Sequence, residues 1–314
     1  MTQHKHNQDG TLRGFRDFLL RVQSDGSDGS EWHSEFCGWL LRLETEASAG
    51  KLRAEEVRTV WHEAAARVLT IGTCQGYVCS RPRGYDGDFE IIERIYARWR
   101  SPNPALAKWD DFFHAQAAPQ AVRNRKRYFL DWLAAHETLA SGDGLRLLNV
   151  GSGPARDVFE HFTTRPESRV RIECVDSDVD AISHAAALCA PFADRLYFHR
   201  VNALRFRPRG QFQLIWSGGL FDYLNDDLFV RLLRRLWSAL APGGELVVGN
   251  FSPANPSRAY MELVGGWVLI HRTAAELTTL ALCSGVPQES IRITAETKGV
   301  NLFLHLSKEA LSTR

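Results

Sequence analysis

No excess of one charge marks this sequence: 38 Lys and Arg face 37 Asp and Glu. A nucleic-acid partner calls for a basic footprint, so the balance argues against one. Cysteine is sparse, and Cys37, Cys74, Cys79, Cys174, Cys189 and Cys283 show neither C-x-x-C pairing nor the density of a disulfide scaffold. They read as reduced thiols of a cytoplasmic protein. The histidines lack ligand spacing, so no metal is expected. No apolar run reaches bilayer length, and the start, MTQHKHNQDGTLRGFRDF, has no apolar h-region or cleavage signal. A soluble, non-exported protein without a membrane partner is expected.

What is present falls into two parts. A chain of 314 residues is long for one core, and a large α/β domain with a smaller companion is the prior. From 12 to 136 apolar residues recur every three or four positions, as in FRDFLLRV, EWHSEFCGWLLRLETEA and AEEVRTVWHEAAARVL. That spacing predicts amphipathic helices. SDGSDGS at 24–30 is expected as a loop and SGDG at 141–144 as a turn. A helical domain at 1–140 and a second domain at 141–314 follow, with no internal repeat.

Beyond 144 the rhythm changes. β-like runs stand at 145–150, 169–176, 195–202, 212–217 and 244–251, with helical segments at 154–163, 178–190, 226–241 and 273–284. Successive βα units predict a parallel sheet covered on both faces. The close, IRITAE and NLFLHLS around Lys298-Gly299, predicts an antiparallel hairpin.

The first of these strands runs into LLNVGSGPARD at 147–157. Gly151 and Gly153 permit a tight turn that a ligand can approach closely, and Pro154 suits a first helical turn. A dinucleotide fingerprint would carry a third glycine at 156, where Arg156 stands. Asp176 ends the second strand, where a carboxylate can accept both hydroxyls of a ribose. Its ordinary alternative is to cap the next helix, a task Ser177 or Asp178 could also perform. Asn202 and Ala203 follow strand three, and Ser217-Gly218-Gly219-Leu220-Phe221-Asp222-Tyr223 follows strand four, at the sheet edge where open α/β folds bind ligands.

In this order, VGSGPARD, CVDSD, the Asn202 region, SGGLFDYL, APGG and the terminal hairpin resemble the class I S-adenosylmethionine (SAM)-dependent methyltransferases. The resemblance spans 145 to about 308. It implies a Rossmann-like seven-stranded α/β sheet with the last strand antiparallel, and SAM without a metal. Gly151, Ser152 and Gly153 would border the methionine part, with Ser217 and Gly218 nearby. Asp176 and Ser177 would sit at the ribose, and Asn202 with Ala203 at the adenine. A narrower resemblance, carried by RGYDGDFEIIERIY (83–96), FFHAQAAPQAVRNRK (112–126), GLFDYL (219–224) and NFSPANPSRAYMELVGGWVLIHRT (250–273), is to a bacterial subgroup. That subgroup includes quorum-signal methyltransferases acting on hydroxy-fatty acids and azetidine-2-carboxylate synthases, which cyclise SAM itself. It implies that the helical part is a lid.

The candidate pocket residues each have an ordinary alternative. Tyr85 lines a cavity or is a buried loop tyrosine. Arg123 and Arg127, with Asn124 between them, share a helix face suited to the SAM carboxylate, or form a solvated face. His114 is a base or a packed side chain. Asp222 and Tyr223 meet an acceptor, or Asp222 merely charges a helix N-terminus. Asn250, Asn255, Arg258 and Trp267 lie on the same rim or in core. The expected function is methyl transfer from SAM to a small-molecule carboxylate or hydroxyl in specialised metabolism or signalling. SAM cyclisation is the close alternative and a catalytically silent SAM-binding protein a further one. A dinucleotide oxidoreductase lacks its third glycine here, and a nucleic-acid methyltransferase lacks its Asn-Pro-Pro-Tyr motif after strand four.

Overall fold

The computed structural model describes residues 2–24, 31–139 and 144–310. The loop expected at 24–30 and the turn at 141–144 lie, apart from Ser24 and Gly144, outside the described residues. The chain forms two compact units, Met1–Gln120 with Pro256–Val268, and Ala121–Asn255 with Leu269–Arg314.

The first unit is helical: α1 (Thr2–Ser24), α2 (Glu31–Ser48), α3 (Ala54–Ala64), α4 (Cys74–Ser80), α5 (Phe89–Ala97), α6 (Pro104–Ala115) and the start of α7 (Ala117–Leu139). Short polar side chains set the starts: Thr73 accepts from Gly76 N–H, Asp88 from Glu90 and Ile91, and Asn103 from Ala105. The apolar stripes meet in an aromatic core. Phe36 stacks on Phe112 at 4.7 Å between centroids and on Trp61 at 5.7 Å. Tyr260, from a π-helical turn at Tyr260–Val264, meets Phe112 edge-on at 5.3 Å.

The sequence alone places the division near 140 and leaves 256–268 with the sheet. The compact units divide at 120 and carry 256–268 into the helical unit. Tyr260 supplies the reason, joined by Arg58, which donates to Glu262 O at 3.3 Å, and Arg81, which donates to Gly266 O at 2.5 Å. Most of α7 goes the other way, because Phe129, Trp132 and Leu133 pack into the core of the sheet.

The second unit holds β1 (Arg146–Val150), α8 (Arg156–Thr164), β2 (Arg171–Asp176), α9 (Val179–Leu188), β3 (Leu196–Arg200), β4 (Phe212–Ser217), α10 (Asp226–Ala239), β5 (Leu240–Phe251), α11 (Ala274–Cys283), β6 (Ile291–Ala295) and β7 (Asn301–Ser307). The seven strands stand in the order β3-β2-β1-β4-β5-β7-β6. β7 runs antiparallel to both neighbours, and the other pairings are parallel. This is the Rossmann-like seven-stranded α/β sheet with an antiparallel last strand expected from the sequence. Alternation along the strands sends Leu147, Leu214, Trp216, Val247 and Phe303 to the face packed by α7 and α8. Leu148, Ile215, Leu246, Val248 and Leu304 face α10 and α11.

Several boundaries shift from expectation, and two have a clear local cause. α8 begins at Arg156, because Ala155 is held left-handed (φ +51°) as its N-cap and its N–H goes to Ser152 O at 3.2 Å. β5 is already paired at Leu240, and Pro242-Gly243 is a kink inside the strand where the register with β4 shifts.

One close approach fixes the top of the sheet. A Cβ on Gly249 would stand 2.3 Å from Gly218 O, so β5 carries no side chain where the loop after β4 crosses it. Gly249→Ala is expected to displace that loop and to cost about 1–3 kcal/mol. Urea unfolding of the variant and the wild type checks this.

Candidate functional site

The carboxyl ends of β1, β2 and β4 converge, and backbone hydrogen bonds hold the junction together. Gly151 and Ser152 donate their N–H groups to Val175 O at 2.8 and 3.1 Å. Gly151 is left-handed (φ +69°), and a Cβ there would meet Leu220 Cβ at 2.9 Å. The loop after β4 therefore rests directly on the glycine turn. Gly153 donates to Asp176 Oδ2 at 2.8 Å, and Asp178 N–H donates to Oδ1 at 3.0 Å. A Cβ on Gly153 would meet nothing within 4 Å, so this side of the turn is open.

Asp176 is not consumed as a helix cap. Asp178 caps α9, accepting from Asp180 at 2.8 Å and Ala181 at 3.3 Å. Burial raises the Asp176 carboxyl, opposed by the Asp178 and Gly153 N–H groups. Ser177 is exposed, and Asn202 is exposed with its side-chain oxygen accepting from Leu204 N–H at 2.9 Å. Ala203 is half-buried beside it. Ser217, fully buried, donates to Val150 O at 2.8 Å and ties β4 to β1. The Ser152 hydroxyl and Asn149 Nδ2 are buried without a hydrogen-bond partner. Buried polar groups are nearly always paired, so two such atoms at the end of β1 fit a site that receives a polar ligand.

The loop after β4 carries Asp222, 2% exposed, which accepts from Phe251 N–H at 2.6 Å. Helix capping, its ordinary alternative, belongs to Asn225, which accepts from Leu228 N–H at 3.0 Å. Burial pushes the Asp222 carboxyl up to about 6, against the Phe251 hydrogen bond and the charges of Arg125 and Arg272. Tyr223 is 40% exposed on the same loop. Arg272 binds this loop to the segment after β5, donating to Leu224 O at 2.6 Å, to Phe221 O at 3.2 Å and to Asn250 Oδ1 at 3.0 Å. Asn250 donates to Ile270 O at 2.9 Å.

The basic run on α7 resolves into distinct roles. Arg127 is exposed and pairs with Asp131 at 3.2 Å, which is the solvated-face alternative. Asn124 donates to Glu296 at 2.6 Å and to Thr297 at 3.1 Å, holding the turn before β7. Arg123 is half-buried. The residue that reaches the loop after β4 is Arg125, which sequence reasoning passed over. It is 9% exposed and donates to Gly218 O at 2.9 Å. Its guanidinium lies so close that a Cβ on Gly219 would stand 2.7 Å from it. Its charge also acts on Asp157, whose carboxyl burial pushes up to about 6. The paired glycines 218–219 were the available signal, because they mark a backbone that a bulky group approaches.

Several other candidates lie in the helical unit. Tyr85, 42% exposed, lines a recess with Tyr77, Asp86 and Asp88. His114 bonds Trp99 O at 2.8 Å, a packed position. Arg258 pairs with Glu262 at 2.8 Å, and Trp267 is buried. In the sheet unit Asn255 is buried 3.4 Å from His271. Among the described residues no group of three His, Cys, Asp or Glu could hold a metal ion, and no helix is long and apolar enough to cross a membrane.

No protein-family model and no curated protein matches the chain. Solved structures do. A possible exported protein from Bordetella parapertussis superposes with a TM-score of 0.61 at 18% identity, covering 98% of this chain and 97% of that one. Magnesium protoporphyrin IX methyltransferase from Synechocystis PCC 6803 with bound SAM has a TM-score of 0.45 at 11% identity, covering 62% and 84%. The 1,6-didemethyltoxoflavin-N1-methyltransferase of Burkholderia thailandensis has a TM-score of 0.45 at 18% identity, covering 63% and 86%. The first likeness establishes a fold shared along nearly the whole chain.

Asp176→Ala leaves two backbone N–H groups without their acceptor. It is expected to destabilise the sheet unit by about 1–3 kcal/mol. Denaturant titration, followed by exchange of the Gly153 and Asp178 amides, checks the outcome.

Proposed function

We propose that the chain is a SAM-dependent transferase that methylates a carboxylate or hydroxyl of a small molecule. The observation that carries this reading is Asp176. Its two hydrogen bonds, to Gly153 and Asp178, use about half of a carboxylate's acceptor capacity and leave the remainder for a ribose diol beside an open turn. Gly151, Ser152 and Gly153 take the methionine part, with Ser177 at the ribose and Asn202 with Ala203 at the adenine. Ser217 and Gly218 hold the opposite wall. Arg125, rather than Arg123 or Arg127, is the cation for the SAM carboxylate.

Bound there, SAM supplies a sulfonium whose methyl group is open to in-line attack. The chain then has to position the acceptor, exclude water and manage a proton. Asp222, buried with one oxygen held by Phe251, is the group that accepts a proton from a hydroxyl acceptor, and Tyr223 presents a ring beside it. Asn124, engaged with the hairpin, acts through structure rather than on the acceptor. Cyclisation of SAM would use the same residues, with Asp222 receiving the proton of the substrate's own amine.

Incubation with SAM separates the readings. S-adenosylhomocysteine (SAH) appearing only when a carboxylic or hydroxy acid is added supports methyl transfer. Methylthioadenosine and azetidine-2-carboxylate from SAM alone would replace it with cyclisation. SAH binding without any turnover identifies a silent SAM-binding protein, and NADH binding in place of SAH restores the dinucleotide reading. Asp176→Ala is expected to weaken SAH by roughly 10- to 100-fold in calorimetry. Asp222 accepts protons only when ionised, and its carboxyl sits at about 6. Activity should therefore rise with pH through that value and lose this limb in Asp222→Asn.

A further inference from the structure

One face of α7 carries a line of polar anchors far from the glycine turn. Trp132 donates to Glu245 Oε2 at 2.6 Å, and His136 Nε2 lies 3.2 Å from the same oxygen. His305 Nδ1 lies 2.8 Å from Glu245 Oε1, and His305 Nε2 lies 2.8 Å from the Tyr128 hydroxyl. Thr294 Oγ1 closes the cluster at 2.7 Å from Tyr128, and Arg292 donates to Glu245 at 3.2 Å. Glu245 is 8% exposed and His305 1% exposed. Glu245 stands in the first half of β5, away from the carboxyl ends where the glycine turn lies.

Helical geometry connects this cluster to the site. Arg125, Trp132 and His136 are separated by seven and four residues, so they fall within an arc of about 40° around the helix. Tyr128 lies on the flank of the same stripe. A hydrogen-bonded helix moves nearly as a rigid body, so whatever sets the seating of 128–136 also sets the reach of Arg125 to Gly218.

We infer that Glu245 is a positioning residue: through Trp132 and His136, and through His305 to Tyr128, it seats α7 and so fixes Arg125 against the Gly218–Gly219 loop, in a way that responds to pH. The charged and titratable groups facing it are Tyr128 and His136 on α7, Arg292 on β6 and His305 on β7. Further anchors of the helix, Lys126 with Glu160 and Glu137 with His161, meet other elements.

The sign follows from the pair. Burial alone would lower His136, but its hydrogen bond to Glu245 raises it above its ordinary value. Burial would likewise raise Glu245, yet hydrogen bonds from His136, His305 and Trp132 hold it well below the usual carboxylate range. Glu245 therefore remains ionised throughout the neutral range. The clamp contributed by protonated His136 is complete below about pH 6.5 and is lost as pH rises through its raised value.

Amide NMR of the wild type, Glu245→Gln, His136→Gln and Glu160→Gln tests this between about pH 5.5 and pH 8.5. In the wild type, Gly218 and Gly219 are expected to show, besides the step near pH 6 imposed by Asp222 on the same loop, a second titration step above about pH 6.5. That step should vanish in Glu245→Gln and His136→Gln and persist in Glu160→Gln, which loosens the same helix without touching a histidine. A second step unchanged in Glu245→Gln and His136→Gln, or absent from the wild type, overturns the inference.

A second arm rests on the SAM reading and compares SAH with methylthioadenosine, which lacks the carboxylate. The preference for SAH should fall about fivefold across the step in the wild type and stay flat in Glu245→Gln. A wild-type protein that binds neither compound refutes the SAM reading, while the glycine amides still decide the role of Glu245.

Discussion

The hydrogen bond from Gly153 to Asp176 is the constraint on which the edge of the sheet is built. It joins the turn after β1 to the end of β2, two parallel neighbours, and it works only because Asp178 caps α9 in place of Asp176. With Val175 O accepting from Gly151 and Ser152, the turn is held by the adjacent strand as well as by its own bond from Ala155 to Ser152. A ligand that meets this turn meets backbone already fixed in place, so little ordering is left for binding to oppose.

The opposite wall is fixed by different means. Gly249 admits the loop after β4, Arg125 presses on that loop from α7, and Arg272 ties it to the segment after β5. Two buried guanidiniums thus hold a loop containing a buried carboxylate. The arrangement keeps Asp222 near the boundary between its charged and neutral forms, because burial favours one and the arginines favour the other. A group poised in this way can exchange a proton near neutral pH without further tuning.

Much of this was legible in the sequence because it is local. The strand runs at 212–217 and 301–307 coincide with β4 and β7, since both are short, largely buried apolar runs bracketed by turn residues. Gly151, Gly153 and Asp176 are legible for the same reason, as each sits where a strand stops. Arg125 was not. In the run RNRKR four of five positions are basic, and only the phase of the helix against the sheet decides which side chain is buried. The placement of 256–268 was hidden too, because nothing local to MELVGGW reveals that Tyr260 belongs among Phe36 and Phe112. Glu245 was obscured by its setting: a charge between PGG and a run of apolar residues reads as a strand's solvent end.

The excursion through Tyr260 bears on how the protein is made. The aromatic core formed by α2, α3 and α6 receives its last side chain from a segment that follows β5, and Arg58 meets Glu262 across 204 residues of sequence. On a ribosome the helical unit must emerge and wait, with the Phe36–Phe112 edge uncovered, until most of the sheet has been synthesised. Its completion is then coupled to that of the sheet by loop closure over long range, which slows folding. A fragment cut at the end of the helices would keep all of α1 to α6 and still lack part of its own interior.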